Sequence, residues 1–172
     1  MIQNMFEDRV KRVSDINEHL CTLRDLANQC ESVTEFGMRE GNSTIAFLAS
    51  TTKKVISYDI QDYQFGHELG VSFPGRFTFI CQDTAKKFNI APTDMLFIDT
   101  LHTYDQVKQE LLKACQVRKF IAFHDTVLFG KDGEQGQEGI NRAIEEFMAD
   151  NKEWEIMADY KNNNGLLVLK HV

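Results

Sequence analysis

Short apolar runs alternate with helical patterns along most of this chain, and that alternation restricts the fold more than any other feature of the sequence. Residues 33–36, 54–59, 77–82, 95–99 and 119–124 are each brief and rich in Val, Ile, Phe or Tyr, as strands are. Helical patterns occupy 16–26, 43–50, 62–69 and 104–115, with a brief turn at 84–88. In the leading helix, Ile16, Leu20, Leu23 and Leu26 recur at spacings of three and four and so share one face. Strands joined through helices are parallel, because a parallel pair needs a crossover and right-handed crossovers cover both faces of the sheet. After a helix at 140–148 the rhythm changes. Residues 154–160 and 166–170 are strand-like runs joined by the polar turn 161–165, a hairpin signal. The expected fold class is α/β: a mostly parallel sheet with helices on both faces and a C-terminal antiparallel hairpin. One domain spanning 1–172 is expected, with 1–31 as its leading helix and 32–172 as its core.

Composition narrows the class of partner. The 172 residues are 42% hydrophobic and 26% charged, ordinary usage for a globular domain of this size. A net charge of −7 with scattered Lys and Arg argues against nucleic acid and in favour of a small molecule. Cys21, Cys30, Cys81 and Cys115 fall in no metal-binding spacing and read as reduced core thiols, which suits the cytoplasm. Glu7, Asp8 and Arg9 stand where a signal peptide needs an apolar core, and no apolar run reaches membrane-spanning length. Neither secretion nor a membrane partner is expected.

Ligands of open parallel sheets bind beyond the carboxyl ends of the strands, and here those ends are acidic. Glu35, Asp59, Asp83, Asp99 and Asp125 each end or directly follow a strand-like run. Any one of them could be a helix cap, but five at one edge exceed what capping explains. Glu35 begins an E-x-G-x-x-x-G pattern, in which Gly37 suits a tight turn and Gly41 lets the main chain approach a ligand before a helix opens at Ser43. Backbone amides there would face the ligand. Asp59 follows the glycine turn by about twenty residues, the interval at which a carboxylate accepts from a ribose diol. Asp83 reads equally as an adenine contact or as a cap. Together these residues describe a nucleoside-cofactor site. The segment 126–138, with Gly130, Gly133 and Gly136 among charges, reads as a mobile lid whose charges are solvated.

Two motifs are more specific. Phe97-Ile98-Asp99-Thr100-Leu101-His102-Thr103-Tyr104 is similar to F-I-D-G-x-H-x-Y, and Phe123-His124-Asp125-Thr126 to F-H-D-T, with Asn164-Gly165-Leu166 opening the last strand. On these residues, over 33–170, the chain resembles the class I S-adenosylmethionine-dependent methyltransferases, which have a Rossmann-like sheet. Within that class it resembles the small-molecule O-methyltransferases related to the macrocin and catechol enzymes. The resemblance implies that Glu35, Gly37 and Gly41, with Ser43 beside them, hold the methionine part of the cofactor, Asp59 the ribose and Asp83 the adenine side. It implies methyl transfer from S-adenosylmethionine to a hydroxyl of a small molecule, such as a sugar or phenol. A divalent cation, Mg²⁺, held by Asp99 and Asp125 would orient and acidify that hydroxyl, with His102 as the base.

The chain departs from the family pattern at three places. His124 stands where metal-dependent relatives often have an acid, Thr100-Leu101 replaces a glycine-containing pair, and Cys115-Gln116-Val117-Arg118 lacks the usual Pro-Gly-Gly turn. His102 has a plainer reading as a cap for the helix from Tyr104, and His124 as a core histidine; Tyr104 either stacks in the site or begins a helix. With little beyond the core, the acceptor pocket is open or finished by a second subunit, so a homo-oligomer is one expectation. Two other functions stand beside methyl transfer: a non-catalytic cofactor-binding module, and an NAD-dependent oxidoreductase. The turn lacks the G-x-G-x-x-G of the latter.

Overall fold

The computed structural model describes residues 2–172. Five parallel strands are β1 (Ser32–Phe36), β2 (Lys54–Asp59), β3 (Phe77–Cys81), β4 (Thr93–Ile98) and β5 (Val117–His124). An antiparallel pair, β6 (Trp154–Tyr160) and β7 (Leu166–His171), completes a seven-stranded sheet ordered β3-β2-β1-β4-β5-β7-β6. The chain moves outward from β1 to β3, then returns to place β4 on the other side of β1. Strand order reverses between β1 and β4, and the crevice above such a reversal is where open α/β sheets take ligands.

Six helices cover the sheet: α1 (Ile2–Lys11), α2 (Leu20–Ala27), α3 (Asn42–Leu48), α4 (Gln64–Ser72), α5 (Tyr104–Leu111) and α6 (Asn141–Asp150). Side chains alternate between the two faces of a strand, and β4 and β5 show how the sequence uses this. Met95, Phe97, Phe120 and Ala122 join a core built with α1 to α4, while Leu96, Ile98, Ile121 and Phe123 join a second core with α5 and α6. All six residues of β4 are buried, and from Met95 to Ile98 its sequence is a continuous apolar run.

The structure bears out the fold class and revises some details. In place of one leading helix there are two, α1 and α2, separated by residues 12–16 and a 3₁₀ turn at Asn17–His19. Only Phe6 of α1 is buried, so no apolar stripe marked that helix in the sequence; the expectation for Met1 lies outside the described residues. The thiols are free, but only Cys30 is buried, so the reading of all four as core residues does not hold. Among the described residues, no helix is long and apolar enough to cross a membrane.

Between β3 and β4 the chain has no helix, and its anchor is Glu110 on α5. This fully buried carboxylate accepts from the Thr84 hydroxyl, from Thr100 Oγ1 at 2.9 and 3.0 Å, and from Gln106 Nε2 at 2.8 Å. Lys113 Nζ donates to the Thr84 carbonyl at 2.8 Å and so closes the same knot. Thr100 thus supplies a donor to a buried acid that needs one.

Burial pushes Glu110 up to about 7, against the hydrogen bonds that favour its charged form, and Glu35 is raised to about 7 in the same way. The folded protein therefore holds two protons that an unfolded chain releases near pH 4.5, so stability falls as pH rises from there to about 7. Glu110→Gln should remove roughly half of that slope in a plot of thermal midpoint against pH. An unaltered slope in the variant would show that Glu110 titrates at its ordinary value.

Candidate active site

The turn after β1 is shaped by what it must pass. Gly37 adopts φ +87°, its N–H donates to the Tyr58 carbonyl at 2.9 Å, and a Cβ built on it would lie 1.9 Å from the Asp99 carbonyl oxygen. Only a residue without a side chain fits where the chain leaving β1 abuts the chain leaving β4. Gly41, at φ +75°, opens α3 with the Phe65 ring 2.8 Å from where its Cβ would be.

Glu35 lies beneath this turn with no exposed surface. It accepts from Ser43 Oγ at 2.5 Å, Thr44 Oγ1 at 2.7 Å and the Ser57 hydroxyl. These bonds fasten α3 and β2 to β1. Glu35 and Ser43, expected to touch the cofactor directly, face inward and support the turn from below, because the buried carboxylate has spent its oxygens on hydroxyls. Asp59 stays at the rim. Its Oδ2 accepts from the N–H groups of Met38 and Arg39, both at 2.9 Å, and its Oδ1 from Gln61 N at 3.0 Å. Two of the amides expected to face a ligand are therefore bound by Asp59, which sets the loop's conformation as well as lining it. Asp83 Oδ1 accepts from Ala85 N at 2.9 Å and closes a turn, where no helix follows.

The ends of β4 and β5 bring a second group together. His102 Nε2 lies 3.1 Å from Asp99 Oδ1 and 3.0 Å from Asp125 Oδ2, and its Nδ1 lies 2.7 Å from Glu134 Oε1. Asp125 is held at φ +60°, a left-handed conformation that Asp tolerates better than most residues. His124 Nδ1 is 3.5 Å from the same oxygens of Asp99 and Asp125. Burial disfavours every charge here, yet the two imidazoles outweigh it and hold Asp99 well below the usual carboxylate range. The same pairing raises His102 and pushes His124 up to about 10, against burial that would lower both. For His124 the attraction is one of proximity rather than of aligned bonds. Among the described residues, neither of its ring nitrogens has a hydrogen-bond partner, and nor do Asp125 Oδ1 or Thr126 Oγ1.

These residues fit a divalent cation. One ligand atom from each of Asp99, His102 and Asp125 lies within 4.8 Å of the others, beside buried polar atoms that have nothing to bind. As a base, His102 is differently placed from the sequence expectation, since both its nitrogens are engaged by carboxylates and no lone pair is free. It does not cap α5, because the cap is Thr103. The Tyr104 hydroxyl donates to Glu146 on α6 at 2.7 Å, so Tyr104 begins the helix and turns to its neighbour.

The segment expected to be a mobile lid is fastened at several points, while its charges Lys131, Asp132 and Glu138 are exposed as expected. Glu134 N donates to the His102 carbonyl at 3.1 Å, Val127 N and Leu128 N donate to the Asn164 carbonyl at 2.8 and 3.0 Å, and Asp132 bridges Glu138. The Phe129 ring stacks on His102 with centroids 5.0 Å apart at 16°. Glu134 and Phe129 escaped the sequence reading because a run of charges and glycines does not reveal which members turn inward.

A family model described as a methyltransferase domain matches residues 34–126, from β1 through Asp125. The chain belongs to the methyltransferase-domain family. No curated protein matches this methyltransferase. Among solved structures it is similar to a Staphylococcus aureus protein provisionally assigned as a caffeoyl-CoA O-methyltransferase, at TM-score 0.72 and 14% identity, over 99% of this chain and 90% of that one. It is similar to the 1,6-didemethyltoxoflavin-N1-methyltransferase of Burkholderia thailandensis, solved with 1,6-didemethyltoxoflavin and S-adenosylhomocysteine, at TM-score 0.71 and 12% identity over 99% and 82%. It is also similar to the O-methyltransferase TomG of Streptomyces achromogenes, solved with S-adenosylmethionine, at TM-score 0.65 and 16% identity over 94% and 82%. At these identities the likeness is one of fold. The family match sets aside the oxidoreductase reading.

The Gly37 contact gives a direct test of the turn in this methyltransferase. Gly37→Ala combines a positive φ with backbone overlap at Asp99 and should cost more than about 3 kcal/mol in denaturant unfolding. Gly136→Ala, at φ +71° with nothing within 4 Å, should cost only about 1–2 kcal/mol of backbone strain. Equal costs would mean that the close approach at Asp99 contributes nothing.

Proposed function

We propose that this methyltransferase transfers a methyl group from S-adenosylmethionine to a hydroxyl of a small molecule. The observation that carries the reading is the contact of the glycine turn with Asp99, because it sets the expected cofactor loop against the carboxylate–imidazole centre. Transfer from a sulfonium to oxygen is in line and removes the positive charge on sulfur, so the protein must hold donor and acceptor near attack distance. In this reading Gly37 and Gly41 face the methionine part, Asp59 the ribose and Asp83 the adenine side, with Glu35 and Ser43 securing the turn beneath them. Support comes from the S-adenosylhomocysteine in the Burkholderia thailandensis protein and the S-adenosylmethionine in TomG. We take 1–172 as one methyltransferase domain, since α1 and α2 build the same core as the matched segment.

Oxygen is preferred over nitrogen as the acceptor because of the centre at Asp99. An alcohol must lose its proton to attack, whereas an amine already offers a lone pair, so a cation-and-carboxylate site is of most use to an alcohol. Asp99 and Asp125 would hold the ion, and a bound divalent cation would lower the pKa of the hydroxyl and orient it. Glu134 and Phe129 keep the His102 ring beside both carboxylates, and the backbone of Asp99 abuts the cofactor turn.

Titration with S-adenosylmethionine, S-adenosylhomocysteine and NAD should show binding of the first two alone, and Asp59→Ala should weaken that binding by about tenfold or more. Asp99→Ala and His102→Ala should lose about 10²–10⁴-fold in turnover while keeping cofactor affinity. Unchanged cofactor binding in Asp59→Ala would refute the ribose assignment. Full turnover in the other two would leave only a cofactor-binding module.

A further inference from the structure

His124 is the buried group that the proposed reaction does not use. It ends β5 at 1% exposure, and its Nδ1 faces the two carboxylate oxygens that His102 also approaches. Among the described residues, both its ring nitrogens and Asp125 Oδ1 lack partners. A polar atom buried in that condition is costly, so several clustered at one point mark a place where something binds. Asp99, His102 and Asp125 offer ligand atoms within 4.8 Å of one another, and His124, outside that group, flanks the same two oxygens. Donor atoms each about 2.1 Å from a common metal stand about 3.0–3.4 Å from one another. The two contacts of His102 to Asp99 and Asp125, at 3.1 and 3.0 Å, fall in that range, and the two of His124, both 3.5 Å, lie just beyond it.

We infer that Asp99, His102, Asp125 and His124 form a mixed nitrogen–oxygen centre that selects a divalent transition ion of the iron, cobalt, nickel or zinc kind over Mg²⁺. The inference rests on the cation proposed at Asp99 and Asp125, and changes its identity. Mg²⁺ is a hard ion that takes oxygen ligands and keeps several waters, so two imidazoles are poor company for it. The same imidazoles suit the later ions, whose affinities rise along the series from manganese to copper, with zinc close behind. The surroundings favour ligation too. Glu134 at 2.7 Å from His102 Nδ1 holds that ring by its far nitrogen, the usual support for a metal-bound imidazole, and leaves Nε2 directed at the carboxylates. Phe129 stacks on the face of His102, and the edge of His19 packs against His124 with centroids 5.7 Å apart at 72°. Both rings are therefore held in place from outside the centre.

The test uses chelator-treated full-length protein without cofactor or acceptor, titrated calorimetrically with MgCl₂, CoCl₂ and ZnCl₂ in turn. Co²⁺ and Zn²⁺ should each bind one per chain, at least about 100-fold more tightly than Mg²⁺. His124→Asn should weaken Co²⁺ binding by about tenfold or more and shift the visible absorption of the Co²⁺ protein. Equal affinity for Mg²⁺ and Co²⁺, no binding of any of the three, or a variant with parental Co²⁺ affinity and spectrum would each overturn the inference. Should that variant not fold, X-ray absorption at the zinc edge of the parent protein settles the point: two imidazole ligands are expected, and one or none would overturn it. S-adenosylhomocysteine binding is measured separately on the metal-free protein, so failure of the methyl-donor reading and failure of the metal assignment give different results.

Discussion

The backbone leaving β1 and the backbone leaving β4 come together at Gly37 and Asp99 with no space for a methyl group between them. Parallel strands on either side of a reversal in order diverge as they leave the sheet, and the crevice between them is useful only if its two lips stay close. Glycine achieves that closeness here. Glu35 holds one lip down through three hydroxyls, and Asp59 holds it from the side through two amides. The position of every other group at the edge follows from these fastenings.

Glu35, Glu110, Asp99 and Asp125 have two kinds of partner, and the division separates support from chemistry. Glu35 and Glu110 are surrounded by hydroxyl and amide donors, which satisfy a carboxyl group in either protonation state and leave it nothing further to do. Asp99 and Asp125 face imidazoles, which hold Asp99 well below the usual carboxylate range, and the atoms around them are incompletely bonded. A folded chain tolerates such incompleteness where it meets something else, and the carboxyl edge of the sheet is where this methyltransferase has collected it.

Much of this was legible in the sequence, for identifiable reasons. The apolar run Met95–Ile98 marks β4, whose residues are buried on both faces, while β2 and the mostly exposed β6 could be bounded to the residue from their β-branched and aromatic content and the polar turns that flank them. The acids at the strand ends followed from chain direction alone. Long-range partners were not legible. Nothing at Glu110 announces that it will meet Thr84 and Thr100, and nothing in a polar loop announces that Glu134 will meet His102, because each contact depends on a crossover bringing distant segments together. The helix α1 was missed for a different reason, since a helix that buries one side chain carries almost no pattern.

Residues 126–138 are fastened at both ends and, through Phe129 and Glu134, at His102 between them. One anchor is the Asn164 carbonyl in the β6–β7 turn, the others are His102 and the start of α6, and Val127 and Leu128 project outward at 49% and 54% exposure. Apart from Phe129 and Glu134, which hold His102, the wall beside the centre is thus separable from the cofactor cradle. Related chains could exchange this strap for others of different length and bulk, acquiring new acceptors while inheriting the cofactor cradle unaltered.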